Sequence, residues 1–225
     1  MKKLILFFTS VICIDGIALA QLRFSIATDV SLLRNFSPQQ KFWSLGQGVE
    51  ADLHFSQKNT FYGWFNYHTQ GSFNNSFEAD VKPPGSPGQI DYYITGKWAF
   101  RQVSIGWKHY IRGSFDKEYD WNLYGAAGFG LLFTRAENIL VSSIDTALYA
   151  LRPTPQLGKD DFKRLTLDLA LGTELPLGPN FYVYVDVRTS IPTSDYPSPL
   201  LHNKKHVPLP VMLNAGMRIL FGSGE

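Results

Sequence analysis

The sequence has very little cysteine. Its one residue of that type, Cys13, lies near the start of the 225-residue chain. A mature chain without that first segment has no thiol, which excludes disulfides, thiolate metal sites and a cysteine nucleophile. Charge is also scarce, at 18% of residues, and nearly balanced, with a formal net of +2. Lys2, Lys3 and Asp15 in the first twenty residues account for half of that small excess, which leaves a net of about +1 beyond them. A basic patch able to read nucleic acid by its phosphates is therefore missing. Beyond residue 20 no apolar run approaches the roughly eighteen residues that mark a membrane helix. No glycine-rich turn stands between a strand pattern and a helix pattern, so no phosphate-cradling loop is expected. These absences leave no cofactor for the sequence to bind.

The N-terminus reads as an export signal. Lys2 and Lys3 form a positive start, Leu4 to Ile12 a short apolar stretch, and Ala18-Leu19-Ala20 a small-residue cleavage site. Asp15 interrupts the apolar stretch, which is too short to cross about 30 Å of hydrocarbon. Ile12, large and branched, stands where a lipid-attachment signal needs a small residue before its cysteine. The expected organisation is a signal peptide over 1–20, cleaved after Ala20, and one domain over 21–225.

Aromatic residues are plentiful, at 15%, and they fall into a period of two. Leu165, Leu167, Leu169, Leu171 and Leu175 alternate with Thr166, Asp168, Ala170, Gly172 and Glu174. Phe181, Val183, Val185, Val187 and Ile191 alternate with Tyr182, Tyr184, Asp186, Arg188 and Ser190. Leu209 to Phe221 continues the pattern, and five earlier segments repeat it: Leu22–Leu32, Trp43–Phe55, Phe61–Thr69, Val103–Ile111 and Trp121–Phe133. One face of each segment is apolar and the other polar, as in a strand between two different surroundings. Eight strands result. Their connections alternate: 56–59, 112–120 and 177–180 are short, whereas 34–42, 71–93, 135–162 and 194–208 are long. The expected fold is all-β, an eight-stranded antiparallel up-and-down transmembrane β-barrel with short periplasmic turns and longer extracellular loops.

A soluble sandwich or lipocalin-like barrel shows the same alternation with the opposite facing. Two features choose between them. Phe24, Phe55, Phe61, Trp121, Phe181 and Phe221 lie on the apolar face within about three residues of a turn or terminus at one end, as an aromatic girdle at a lipid interface does. The polar face collects charges of both signs: Arg23, Asp29, Glu50, Asp52, Lys108, Asp168, Glu174, Asp186, Arg188 and Arg218. Eight strands enclose just enough room for paired side chains, so these predict a closed charge network in the lumen. Along the last strand, Asn214, Gly216, Ile219 and Phe221 match the pattern that barrel-assembly machinery recognises.

The segment Trp107-Lys108-His109-Tyr110, a turn, then Tyr124-Gly125-Ala126-Ala127-Gly128-Phe129-Gly130, resembles the small outer-membrane β-barrels of Gram-negative bacteria of the OmpW and OmpX type. The resemblance implies the barrel fold for the whole mature chain, the cell outer membrane as its location, and outer-membrane lipid, lipopolysaccharide and the assembly machinery as its partners. That class includes adhesins, solute pores and lipid enzymes, so activity is left open.

Candidate chemistry is thin. His54-Phe55-Ser56 has the His-x-Ser spacing of lipid A deacylases, but His54 falls on the inward face beside a periplasmic turn. His202 and His206 lie in a proline-rich loop with no carboxylate or cysteine near them, so no metal site is expected. Lys204 and Lys205 beside them form the most basic outer loop, suited to lipopolysaccharide phosphates. The loop 135–162 is unusually apolar. Ile139, Leu140, Ile144, Leu148 and Tyr149 are its candidate binding residues, and Leu140, Ile144 and Leu148 fall at helical spacing. Such a segment is costly in water unless it covers the barrel mouth or meets a surface or envelope protein. The expectation is a non-enzymatic barrel with a filled lumen and surface loops that bind or brace the envelope. A small passive channel is the alternative, and a lipid A-modifying enzyme a distant one.

Overall fold

The computed structural model describes residues 23–82, 88–145, 147–151, 156–193, 200–201 and 209–222. The expected signal segment 1–20, the centre of the loop around Pro84, and His202, Lys204, Lys205 and His206 lie outside the described residues. Nine strands follow one another: β1 Arg23–Asn35, β2 Phe42–Ser56, β3 Asn59–Val81, β4 Ile90–Arg112, β5 Asn122–Leu140, β6 Tyr149–Leu151, β7 Gly158–Pro176, β8 Phe181–Pro192 and β9 Pro210–Phe221. Eight of them form a ring in which each pairs antiparallel with its neighbour along the chain, β5 pairing with β7. The ring closes where β1 pairs with β9, Phe24 opposite Phe221. Closure leaves the spanning strands without a free edge, which lipid, having no hydrogen bonds to offer, requires. Among the described residues no helix is long and apolar enough to cross a membrane, a fact that does not bear on strands.

The belt explains the alternation. Val30, Val49, Ile105, Phe129, Leu171, Val187 and Leu213 point outward and are about half exposed or more, while Ser25, Asp52, Ser104, Asp168, Asp186 and Arg218 point inward and are buried. A soluble protein would hide the first group and wet the second, so this facing fits lipid outside and a packed interior. The six aromatics expected as a girdle are all outward and exposed at the end that carries the termini. Phe24 stacks on Phe221 at 4.9 Å, and Arg112 sits 4.3 Å over Trp121.

Three expectations are corrected. The segment 71–93 is mostly strand: β3 runs up to Val81 and β4 starts at Ile90. A bulge between His68 and Gly71 shifts the register, so the inward residues on β3 change from even to odd numbers. Above it the sign of the alternation also reverses. Phe73, Phe77, Tyr92, Ile94 and Trp98 point inward and are buried, while Ser72, Asn74 and Glu78 on β3 and Asp91 on β4 face out. The same strands thus follow the lipid rule below and the water rule above. Strict alternation of connection lengths fails as well. The periplasmic connection 113–121 is longer than 36–41 at the other end, because it folds back under the barrel.

The third correction concerns 135–162. No helix forms among its described residues. β5 continues to Leu140 and β7 starts at Gly158. A single turn, closed by bonds from Leu148 and Tyr149 N–H to the Asp145 carbonyl, leads into β6, which pairs with the tip of β3. The free edge at the tip of β3 offers 149–151 strand pairing, which outweighs the helical spacing of Leu140, Ile144 and Leu148.

Candidate functional site

The lumen is filled in layers. At the periplasmic floor, Arg218 grips Glu174 through two bonds of 3.1 and 2.9 Å, and its guanidinium lies 4.1 Å from the Tyr182 ring. Tyr110 donates to the same carboxylate at 3.1 Å. Arg218 also donates to the Phe115 carbonyl at 2.8 Å. Phe115 comes from the 113–121 connection and is tucked inward, its ring stacked 4.2 Å from His54. Arg23 bonds Asp116 of the same connection at 3.0 Å, partly exposed at the rim. Outside the membrane, the Trp121 N–H, then Arg112 and Lys117, hold the Asp120 carboxyl down at about 2.

The next layer is ionic. Lys108 on β4 bonds Glu50 and, at 3.0 Å, Asp52, both on β2. Arg188 on β8 bonds the other oxygen of Glu50 at 2.8 Å and Asp186 at 3.4 Å. Its guanidinium lies 4.1 Å from the Trp64 ring. Tyr124 and Asn214 donate to Asp186, and Tyr184 donates to Asp29. Apart from Asp29, whose Oδ1 has no hydrogen-bond partner, each of these buried carboxylates meets a cation or several donors, the condition under which burial is tolerated. Two glycines that face each other across β4 and β5, Gly106 and Gly128, leave the space into which Tyr62 reaches.

Above the ions, Gln102 donates to Asp168 at 2.7 Å and Ser190 at 2.8 Å, and Ser104 also bonds Asp168. The mouth is apolar. Phe42 lies against Phe73, Trp98 and Phe100 at centroid distances of 6.0, 6.2 and 5.9 Å. Leu33, Leu132, Met212 and, from the β8–β9 connection, Leu200 and Leu201 complete the cluster. Asn138 anchors that connection by donating to the Leu200 carbonyl at 2.8 Å.

The structure links Asp52, Lys108, Glu50, Arg188 and Asp186 in one chain of ion pairs centred on Glu50, and joins Glu174 to Arg218 beneath them. Asp29 and Asp168 are held by hydroxyl and amide donors. Arg23 stays at the rim, apart from the rest. Sequence reasoning missed Phe115, Gln102 and the tyrosines as partners. The tyrosines were legible as inward on strand parity, but parity does not say what a hydroxyl reaches.

His54 does not meet Ser56. Its Nε2 faces Ser25 Oγ at 2.9 Å and its Nδ1 faces Thr60 at 2.8 Å. Asp52 contacts Ser25, not His54, and all are buried. Among the described residues no group of three or more histidines or acids is placed to hold a metal. Asn214 and Gly216 point inward, while Ile219 and Phe221 point outward. A side chain at Gly216 would collide with the Thr28 carbonyl and Asp29, so packing alone requires glycine there. In the surface loop, Leu140, Ile144 and Tyr149 pack on Phe77, Ala79, Tyr92 and Ile94, inward above the aromatic mouth. Ile139 and Leu148 stay exposed, as does Val141.

No protein-family model matches the chain, and no curated protein is similar to it in sequence. Solved structures do match. OprG from Pseudomonas aeruginosa superposes with a TM-score of 0.51 at 10% identity, over 90% of this chain and 97% of that one. Neisserial surface protein A superposes with a TM-score of 0.50 at 13% identity, over 87% and 96%. The attachment invasion locus protein of Yersinia pestis gives 0.49 at 14%, over 89% and 99%. The fold is the eight-stranded outer-membrane β-barrel. With its exposed apolar belt, this barrel resides in the outer membrane. Identities this low speak for the fold alone, and the function has to be argued from the side chains.

Proposed function

We propose that the chain is a non-enzymatic integral outer-membrane β-barrel with a closed lumen, whose extracellular part binds a surface or envelope partner or braces the envelope. The observation that carries this is the sequence of layers from Phe115 through the Glu50 ion cluster to the aromatic mouth. An ion or solute following the axis meets buried ion pairs, then a dry aromatic cluster. In this reading residues 1–20 are removed on export, and the last strand serves the assembly machinery through outward Ile219 and Phe221. Tyr93 on β4, Ile139 near the end of β5, Val141 just beyond it and Leu148 in the loop are exposed and offer apolar side chains outward. The test is conductance of the purified protein in planar bilayers: no steady current is expected, and a stable open-channel current would overturn the closed lumen.

A second reading, a narrow path for small solutes, rests on one observation. Between the ions and the mouth, Trp64 Nε1, both amide atoms of Asn66 and His68 Nδ1 are buried without a protein partner. They follow one another along β3 and offer a polar stripe. The same conductance measurement decides between the two.

A further inference from the structure

The outward face of the barrel changes abruptly at its upper edge. Phe65, Val103, Leu131 and Leu165 lie side by side across β3, β4, β5 and β7, all about half exposed. Two residues higher, the next outward row on the same strands is Tyr67, Arg101, Phe133 and Lys163. Aromatic and cation alternate. The Arg101 guanidinium lies 5.5 Å from the Tyr67 ring, and the Lys163 ammonium 5.7 Å from the Phe133 ring. The rows above hold Arg135 bonded to Asp161 and Lys159 bonded to Glu137, with Lys97 beside them. Among the described residues Arg101, Lys163 and Lys97 are ion-paired with no carboxylate. On the opposite wall, β8, β9, β1 and β2 present one outward cation among their described residues, Arg34, which lies 4.8 Å from the Trp43 ring.

We propose that Tyr67, Arg101, Phe133 and Lys163 form a binding site for the phosphorylated headgroup of an outer-leaflet lipid, with Lys97 as an additional cation above it. Position argues for a lipid over a soluble anion. The cations stand one row above an apolar row that acyl chains already cover, so a molecule with both chemistries meets both rows at once. Strands lie about 4.8 Å apart, so the Arg101 and Lys163 backbones are about 10 Å apart with Phe133 between them. Both long side chains can reach a phosphate held over that ring, and guanidinium and ammonium are the usual donors to phosphate. The aromatic rings hold the cations near the headgroup level without neutralising them.

The experiment is native mass spectrometry of the folded, purified protein with diphosphoryl lipid A, its dephosphorylated form, or pyrophosphate. The protein should retain the diphosphoryl lipid, and Arg101→Ala with Lys163→Ala should lower the retained fraction about tenfold, as loss of two solvent-exposed ion pairs does. Arg34→Ala should leave it unchanged. Equal retention by the double variant, or of the dephosphorylated lipid, overturns the site. Displacement by equimolar pyrophosphate makes it a soluble-anion site and overturns the lipid assignment. Amine acylation of the unaltered protein gives an independent reading that needs no variant. Diphosphoryl lipid should shield Lys163 while dephosphorylated lipid does not, and equal labelling in both counts against the proposal.

Discussion

Arg188 on β8 and Glu50 on β2 join across the lumen at 2.8 Å, although β9 and β1 stand between their strands in the wall. The pair is a strut. Glu50 also holds Lys108 from β4, so one carboxylate ties three parts of the ring together. Glu50→Gln leaves both cations short of charge in a buried site. It should lower stability by about 3 kcal/mol or more, read as an earlier loss of the heat-resistant band and a lower denaturant midpoint. An unchanged midpoint would mean that the ions contribute nothing net.

The facing of β7 and β8 predicts a contrast between neighbours. Leu169→Arg or Val185→Arg, outward in the belt, should cost about 2–4 kcal/mol near the bilayer midplane. Ala170 and Tyr184, one residue along and inward, should show no such dependence on depth. Unfolding titrations in vesicles measure both, and equal losses at outward and inward positions would contradict the assigned faces.

Gly216 and Phe221 separate packing from recognition. Gly216→Ala forces a side chain against the Thr28 carbonyl, and overpacking of this kind costs about 1–3 kcal/mol. Refolding in pure detergent should therefore already be impaired. Phe221→Ala, at an outward and exposed position, should refold in detergent almost normally but assemble poorly in cells. Matching defects in both settings would remove the distinction.

The surface loop offers a test on intact cells. Ile144 packs on the cluster of Phe77 and Tyr92. Ile144→Asp should free the segment 141–151 and expose it to added protease, while the barrel keeps its heat-modifiable migration. A loop that is cleaved equally in the unaltered protein is not held by this contact.

Asp120 supplies a pH reading at the periplasmic end. Its carboxyl is depressed to about 2 by the Trp121 N–H and by Arg112 and Lys117, against about 3.9 when free. A depressed acid contributes order that is present above the free value and lost as pH falls through the folded one. Chemical shifts of Asp120 should therefore titrate near 2, with the 113–121 connection loosening only below about pH 4. Titration near 4 would show that those bonds do not persist in solution.

The belt strands were legible because lipid and lumen impose opposite demands on alternate residues, and β7, β8 and β9 carry no bulge to break the count. The outer ends of β3 and β4 were not. At His68 the register slips, and above it water replaces lipid, so Phe73 and Phe77 follow a rule of the opposite sign in the opposite parity. A search for outward apolar residues reads that stretch as loop. The inward charges of Glu50, Asp52, Asp186, Arg188 and Arg218 could be listed from parity, but which acid meets which base depends on strand stagger, which parity does not contain. Phe115 looked like an ordinary turn residue because its role depends on a chain reversal under the barrel.

The seam between Phe24 and Phe221 has a consequence in time. Those residues belong to the earliest and the latest strands of the ring, so no arc of the wall can shut until its final strand has arrived. Until then two raw edges, each a row of unsatisfied amides and carbonyls, face whatever surrounds the growing sheet. Insertion strand by strand into bare lipid would strand both. The last pairing also spans nearly the whole chain, and such distant contacts form slowly. The barrel should therefore close as one late, cooperative event, and the half-made sheet must be sheltered until it does.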